Sequence, residues 1–530
     1  MLEWLLFLPI LIPIVGVFSL RLVAPRLSSH LRPRLGFALI ILEILAILVN
    51  IAPFNHRLLV SNWSLASFSL VLQMDGIGIL LLSTIFVILA ALWLIAPPRA
   101  LLDPLSVFVW TGAILLILSG NLITIYFAWV LFDLAILVWR LVRDIEREMA
   151  VRAFAVSQLA GFALFAGSQF LGTANAERGI WLIALAYWSR LGLFPFHWTL
   201  PMRGLNSRDL WNARAIPLLA GASLWLRWSA LQAAAPWQVI IILAALALGA
   251  SLVWTWREEQ PSRIATVCVW HVVALIPVAI AYGGDAGMAL ALWLALSAAV
   301  ALAFFETALR WRAENRNRWA RLTWFAGLVT IAGLPLTPAF LGRVGLYVSI
   351  WESADKWLVL IAGLVTLLAL APLWNIGESL QGTESRDPNR EENFGLLILT
   401  LVWVALSFAP MLIAHALAPG VGNSAEGVML RVIWTNDLVG VVIGFAATLL
   451  PFVLSIFLRG VARRFHPQPL STVPRAARLF DLDWLETAFA GIGYEMGAAA
   501  RNLSALAEEN PTVWILLVAL WIAIFVLLPR

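Results

Sequence analysis

Four ionisable residues stand inside apolar stretches: Asp133 in FAWVLFDLAILVW, Arg190 in YWSRLGLFPFH, His271 in TVCVWHVVAL and Arg343 in AGLPLTPAFLGR. The chemistry open to these types is proton movement or the fixing of a charge. A carboxylate takes up and releases a proton, and an imidazole relays one because its ordinary pKa is about 6.5. A guanidinium does neither and stays charged. Asp133 can neutralise an arginine on a facing helix, or compensate Arg140 near the end of its own. His271 is open to two readings, a relay or a core histidine with satisfied hydrogen bonds. Glu43 is a fifth candidate, central in the second span with no partner suggested by its neighbours, so it is open to a lipid-shielded or intersubunit contact as much as to a transport role.

Two of the charges stand beside helix breakers. Pro195 follows Arg190, and its ring excludes the carbonyl of Leu191 while supplying no amide hydrogen. Pro335 and Pro338 precede Arg343 and release the carbonyls of Ile331 and Leu334. Irregular backbone at membrane depth is tolerated only where it is buried in protein or lines a watery cavity. Two interrupted spans, each with an arginine, one in each half of the chain, point to a duplicated transporter core with its ion path at the breaks. Ordinary proline kinks, re-satisfied by neighbouring helices, are the alternative.

The elements that carry these residues follow from composition. The chain has 530 residues, 62% hydrophobic and 12% charged, with mean hydropathy +0.91, far outside the range of soluble domains. A bilayer core about 30 Å thick needs about 20 apolar residues per helix. The runs predict an all-α polytopic membrane protein with about sixteen transmembrane helices. Residues 1–20 read as the first span, since Glu3 stands where a secretory signal carries basic residues and residues 21–26 offer no small-residue cleavage site. Cys268 is the one cysteine, so this chain alone forms no disulfide and ligates no zinc or iron–sulfur cluster. No Gly-rich nucleotide fingerprint is present. The expectation is a chain that binds no cofactor, with any redox or nucleotide chemistry on partner chains.

The net charge of +5 would suggest nucleic acid in a soluble protein, but here the arginines fall in short loops between spans. Basic loops occur at residues 21–34, 140–152, 203–208, 257–263, 310–321 and 459–478, at every second connection. Basic loops collect on the cytoplasmic side, so both termini are expected on the outer side of a bacterial-type inner membrane, with no nucleic-acid partner. Residues 475–509 are less hydrophobic. Leu482, Leu485, Phe489, Ile492, Met496, Ala499, Leu503 and Leu506 recur at steps of three and four, the mark of an amphipathic helix. Its length of roughly 45–50 Å fits either a membrane-surface helix or a lateral brace along other helices or another subunit.

Several motifs, in order, resemble a known family. Asp75 opens DGIGIL, like the DGLS opening of a third span, and Asn121 to Trp129 resemble the NLL...W start of a fifth. FPFHWTLP, running from Phe194 to Pro201, resembles the seventh-span signature PFHxWxP. AGASLWLR, ending at Arg227, resembles the AGxYLxxR end of an eighth span. The stretch ending at His271 corresponds loosely to LAYSSISH, and AGLPLTPAFLGR to AGxPxxxGFxxK. This ordered set is similar to the antiporter-like membrane subunits of respiratory complex I, chains L, M and N, and to the related subunits of Mrp-type cation/proton antiporters. It covers roughly residues 74–347.

The resemblance implies two inverted five-helix repeats containing broken helices, residues 104–231 and 236–376. Around them stand N-terminal helices in 1–103, additional spans in 393–459, the lateral helix at 475–509 and a last span at 511–529. It implies a subunit of a proton-translocating oxidoreductase complex, surrounded by other membrane subunits and lipid, that moves protons or monovalent cations. Flavin and iron–sulfur centres would sit on partner subunits. The alternatives are an Mrp-type antiporter subunit, or a structural subunit that has lost conduction. By the resemblance, the proton pathway runs through Asp133, Arg190, His271 and Arg343.

Departures from the family pattern are specific. The family's glutamate after the fifth-span tryptophan is Val130 here, and Asp133 lies about 60° further round the helix. The seventh-span lysine falls on Arg190 and the twelfth-span lysine or glutamate on Arg343. The eighth-span lysine has no counterpart near Leu219. Lys356 is the one lysine in the chain, and an arginine, unlike lysine, does not cycle a proton. The two arginines are therefore expected to act as fixed charges.

Overall fold

The computed structural model describes residues 2–23, 28, 31–50, 56–63, 68–95, 104–145, 147–171, 173–196, 211–227, 237–258, 260–283, 286–353, 355–380, 387–408 and 438–465. The chain divides into two compact units, Met1–Val473 and Pro474–Arg530. The second unit lies outside the described residues, and with it the expected lateral helix and last span.

The first unit is a helical bundle. After a 3-10 turn at Leu2–Phe7 come α1 (Leu8–Val23), α2 (Leu31–Val49), α3 (Gly76–Ile95), α4 (Pro104–Ile117), α5 (Leu122–Val142), α6 (Arg147–Phe170) and α7 (Ala176–Arg190). A π-helical turn, Trp211–Ala215, leads into α8 (Ile216–Leu226). Then follow α9 (Trp237–Arg257), α10 (Pro261–Tyr282), α11 (Gly287–Ala313), α12 (Asn317–Ala332), α13 (Pro338–Trp351), α14 (Trp357–Ser379), α15 (Arg390–Phe408) and α16 (Leu438–Phe465). Among the described residues, ten helices are long and apolar enough to cross a membrane. The chain is a multi-pass membrane protein.

Burial sorts the helices into layers. α10 and α11 are buried along almost their whole length and form the centre, whereas α1, α15 and α16 expose most of theirs. The exposed faces carry large apolar side chains, among them Leu42, Leu45, Leu360, Leu401 and Phe457. Contiguous apolar surface of this kind faces lipid. Where helices approach closely, small residues permit it: a Cβ on Gly167 of α6 would lie 2.7 Å from the carbonyl of Gly179 in α7. Packing of this kind binds helices where no hydrophobic drive exists between them.

One element departs from an all-helical reading. Residues His56–Trp63 (β1) and Phe68–Met74 (β2) form an antiparallel hairpin between α2 and α3, pairing Leu58 with Leu72 and carrying an irregularity between Leu59 and Ser61. Hairpin backbone groups must find partners, and β2 finds them on the α4–α5 turn. Gln73 N donates to the Leu118 carbonyl at 2.7 Å, Gly120 N to the Val71 carbonyl at 2.8 Å, and Val71 N to Thr124 Oγ1 at 2.8 Å. Asn121 caps α5, its Oδ1 accepting from Thr124 N at 2.8 Å, and its Nδ2 donates to the Ser69 carbonyl at 2.8 Å. The hairpin thus fixes where α5 begins.

α7 stops at Arg190, and Gly192 takes a left-handed φ of 62° before Pro195. The expected twelfth span is two helices, α12 and α13, separated by a left-handed Gly333 and Leu336. The Leu334 carbonyl, to which Pro338 offers no amide hydrogen, accepts instead from Thr337 N at 3.0 Å and Thr337 Oγ1 at 2.7 Å. Pro338 begins α13, where its missing amide hydrogen costs nothing.

Candidate functional site

The first cluster assembles from α5, α6 and α7. On α5 the inward face carries Trp129, Phe132, Asp133 and Arg140. Arg190, the last residue of α7, forms a buried ion pair with Asp133, its Nη1 donating to Asp133 Oδ1. The other carboxylate oxygen, Oδ2, accepts from Gln158 Nε2 of α6 at 3.0 Å. Ser157 Oγ accepts from Arg190 Nη1 at 3.3 Å and from Trp129 Nε1 at 3.0 Å. The guanidinium carbon lies 4.5 Å from the ring centre of Phe132 and 5.1 Å from that of Trp129. Ring faces attract cations most where water is excluded. Nε and Nη2 of Arg190 have no hydrogen-bond partner among the described residues.

Beside this pair is a cavity of about 30 Å³, lined by Asp133, Arg140, Ser157, Ser189 and Arg190 together with apolar side chains. That is room for about one water molecule in a polar site. The arrangement holds a carboxylate against a permanent cation with space for water at its side.

The second cluster joins α10, α13 and α14. Arg343 Nη2 lies 2.8 Å from His271 Nε2, and Nη1 donates to Thr366 Oγ1 at 3.0 Å. Thr366 Oγ1 in turn donates to the Ala362 carbonyl at 2.8 Å. A guanidinium has no acceptor, so the imidazole nitrogen facing it is the bare one and the ring proton is on Nδ1. Arg343 reaches this position because Gly333 leaves room: a Cβ there would lie 2.5 Å from Arg343 Cδ.

Asp133 and Arg190 therefore touch, as do His271 and Arg343. Glu43 joins neither cluster. It is buried on α2, and its carboxylate oxygens have no hydrogen-bond partner among the described residues. The remainder of the seventh-span motif, from His197 onward to residue 210, lies outside the described residues.

Three further buried charges, Arg214, Glu306 and Arg310, carry no motif in the sequence, whereas Asp75 and Arg227 each stand in one. Arg214, in the π-helical turn before α8, is buried, with its guanidinium 5.9 Å from the ring centre of Trp270, the neighbour of His271. It supplies an eighth-span cation just before the stretch where a lysine was sought. Asp75 and Arg227 form a bidentate pair, Nη2 to Oδ1 at 2.8 Å and Nε to Oδ2 at 3.1 Å. Arg227 also donates to the carbonyls of Ile117 and Ser119, and Asp75 Oδ1 caps α3 by accepting from Gly78 N at 2.7 Å. Burial works to raise the Asp75 carboxyl, but the Arg227 charge and hydrogen bonds outweigh it and hold the group below its ordinary range. On α11, Glu306 and Arg310 form a buried intrahelical pair, and Arg310 Nη1 also donates to the Leu92 carbonyl of α3 at 3.0 Å. For Glu306 and Arg310 the i, i+4 spacing is the available sequence signal.

The described residues form a helical membrane bundle with buried charges at the end of α7 and beside the break between α12 and α13, and comparison with solved structures finds the same fold in chains of membrane complexes. The chain is similar to a chain of respiratory complex I from Thermus thermophilus with bound NADH, at 16% identity and TM-score 0.68, covering 81% of this chain and 100% of the other. It is also similar to a chain of the Mrp complex from Dietzia sp. DQ12-45-1b, at 16% identity and TM-score 0.70, covering 99% of this chain and 63% of the longer one. A third likeness is to the membrane-bound sulfane sulfur reductase, an archaeal respiratory membrane complex, at 15% identity and TM-score 0.63, covering 80% and 99%. No protein-family model and no curated protein matches the sequence.

Proposed function

We propose that the chain is an antiporter-like membrane subunit of a complex-I-like assembly, taking part in proton translocation coupled to redox chemistry on partner subunits. One observation carries this reading. In each half of the chain, an arginine at a helix break contacts a titratable side chain on a neighbouring helix, Asp133 in one half and His271 in the other. Asp133 is the group whose charge changes, and Arg190 and Arg343 are the fixed charges that organise it. His271 relays. The likeness to chains of respiratory complexes supports the assembly, and the flavin and iron–sulfur centres are assigned to partner subunits.

The same reading carries about sixteen spans, inverted repeats at residues 104–231 and 236–376, a lateral helix at 475–509, an inner-membrane location and both termini outside. Two observations favour other readings. The Dietzia likeness extends over 99% of this chain, which suits an Mrp-type subunit driven without redox partners. Val130 in the place of the family's glutamate suits a structural subunit without conduction.

The test is proton flux in liposomes carrying the purified complex. Asp133→Asn is expected to abolish it, and flux unchanged by that substitution removes Asp133 from the path. Flavin or iron–sulfur subunits that co-purify in mild detergent decide for the redox-coupled assembly over the Mrp-type one.

A further inference from the structure

At the end of the bundle where α11 turns into α12, a pocket of about 630 Å³ opens between α12, α14 and α16. Its size is that of sites that take small organic ligands. Arg318, Arg321 and Arg459 supply charge at its polar rim, and Leu322, Phe325 and Leu328 follow Arg321 down the same helix. Trp324 and Trp374 form the floor, each locked by a hydrogen bond, Nε1 of Trp324 to the Leu373 carbonyl and Nε1 of Trp374 to Ser455 Oγ, both at 3.0 Å.

The charges of this rim are unequal. Glu378 pairs with Arg459 at 2.7 Å. Glu314 and Glu392 are both taken by Arg316, and Asp387 accepts from Trp319 Nε1 at 3.2 Å. Arg318 and Arg321 have no ion-pair partner among the described residues. They stand in the first two turns of α12, where the helix dipole already presents positive charge and a cation is unfavourable. Such an arrangement calls for an anion. Being three apart, the two arginines share a face of the helix. Leu322 and Phe325 continue that wall and are exposed. A phosphate-sized anion at the rim with apolar surface directly below it matches one chemistry, a charged head on a hydrocarbon tail. Basic pockets between transmembrane helices take anionic lipid head groups in this way.

We propose that this pocket binds an anionic phospholipid, with its phosphate between Arg318 and Arg321 and an acyl chain along Leu322, Phe325 and Leu328. The probe is photo-activatable phosphatidylglycerol added to the full-length protein in mild detergent, with adducts mapped by peptide mass spectrometry. Adducts are expected within residues 322–328, and Arg318→Gln/Arg321→Gln lowers their yield roughly tenfold. Arg312→Gln, exposed in the last turn of α11 and outside the pocket, leaves the yield unchanged. Leu322→Trp keeps both guanidinia and narrows the apolar half, so its loss of labelling separates loss of the site from loss of the fold. Equal labelling by phosphatidylcholine, or by phosphatidylglycerol in the double variant, overturns the proposal. So does competition by millimolar inorganic phosphate that abolishes labelling, which makes the ligand a soluble anion. A cysteine cross-link from position 322 to the segment 475–509, in place of lipid adducts, assigns the pocket to the chain's own tail.

Discussion

Nη2 of Arg343 lies 2.8 Å from Nε2 of His271, and both side chains are fully buried. The imidazole is the acceptor, so its removal leaves a buried guanidinium donor without a partner. His271→Leu is expected to destabilise the protein by about 1–3 kcal/mol, read as a lower melting temperature in detergent. His271→Gln keeps an acceptor within reach and restores most of that loss. An amide cannot relay protons, so flux stays low in the glutamine variant. Flux that recovers together with the melting temperature takes His271 out of the path.

The Asp133–Arg190 pair predicts a double-mutant signature. Breaking a buried ion pair by removing one partner costs about 3–5 kcal/mol, because the other charge is left uncompensated. Asp133→Asn and Arg190→Gln are each expected to lower stability by that order. The double variant loses less than the sum, with a coupling of about 1 kcal/mol or more. Arg190→Lys tests geometry instead of charge. It keeps the cation but loses the planar contact with Phe132 and Trp129, so stability falls less than in Arg190→Gln. A lysine in that position is also able to release its proton, so the pH dependence of flux shifts while Asp133 remains in place.

How much of this was legible in the sequence differs from residue to residue. Asp133, Arg190, His271 and Arg343 announce themselves because a charge or polar ring in an apolar helix is costly wherever it points. Their partners do not. Ser157, Gln158 and Thr366 are neutral residues common on any helix, and only the fold brings them to the guanidinia. Arg214 reads as one more loop arginine until the π-helical turn carries it inward. Asp75 and Arg227 each stood in a motif, but the pairing joins positions far apart in the chain, which one sequence does not encode locally. The hairpin at His56–Trp63 and Phe68–Met74 was hidden because its apolar residues blend into the spans on either side.

Asp75 gives a pH prediction with a definite sign. Its folded-state pKa is held below the ordinary carboxylate value, chiefly by Arg227 against the opposing effect of burial. A depressed carboxyl contributes stability above its unfolded pKa, about 3.9, and loses it as pH falls through the folded value. Stability is therefore expected to be flat through neutral pH with respect to this group and to decline on acidification below about pH 4. In Asp75→Asn the neutral-pH stability is lower and the acid decline attributable to this site is gone. A melting-temperature profile of the two proteins between pH 7 and 3 checks it, and parallel acid limbs contradict it.

Gly333 links the helix break to the charge it serves. Its φ of 73° is left-handed, and a Cβ there would meet Arg343 Cδ at 2.5 Å and Thr448 Cγ2 at 3.4 Å. Gly333→Ala therefore carries two penalties, about 1–2 kcal/mol for the backbone and the displacement of a buried side chain from its middle, where it cannot swing clear. Moving Cδ pulls the guanidinium from His271 and Thr366, so the alanine variant is expected to lose flux nearly as completely as Arg343→Gln. Gly333→Asn relieves the backbone penalty, since asparagine tolerates this region, but keeps the clash, and its flux is expected to stay lost. Leu336 supplies the control. It is exposed in the same break at φ 68°, so Leu336→Gly removes strain without touching Arg343 and is expected to keep flux with unchanged or raised stability. Flux retained in Gly333→Asn would show that Arg343 can give way, and would separate the bend of the chain from the placement of its charge.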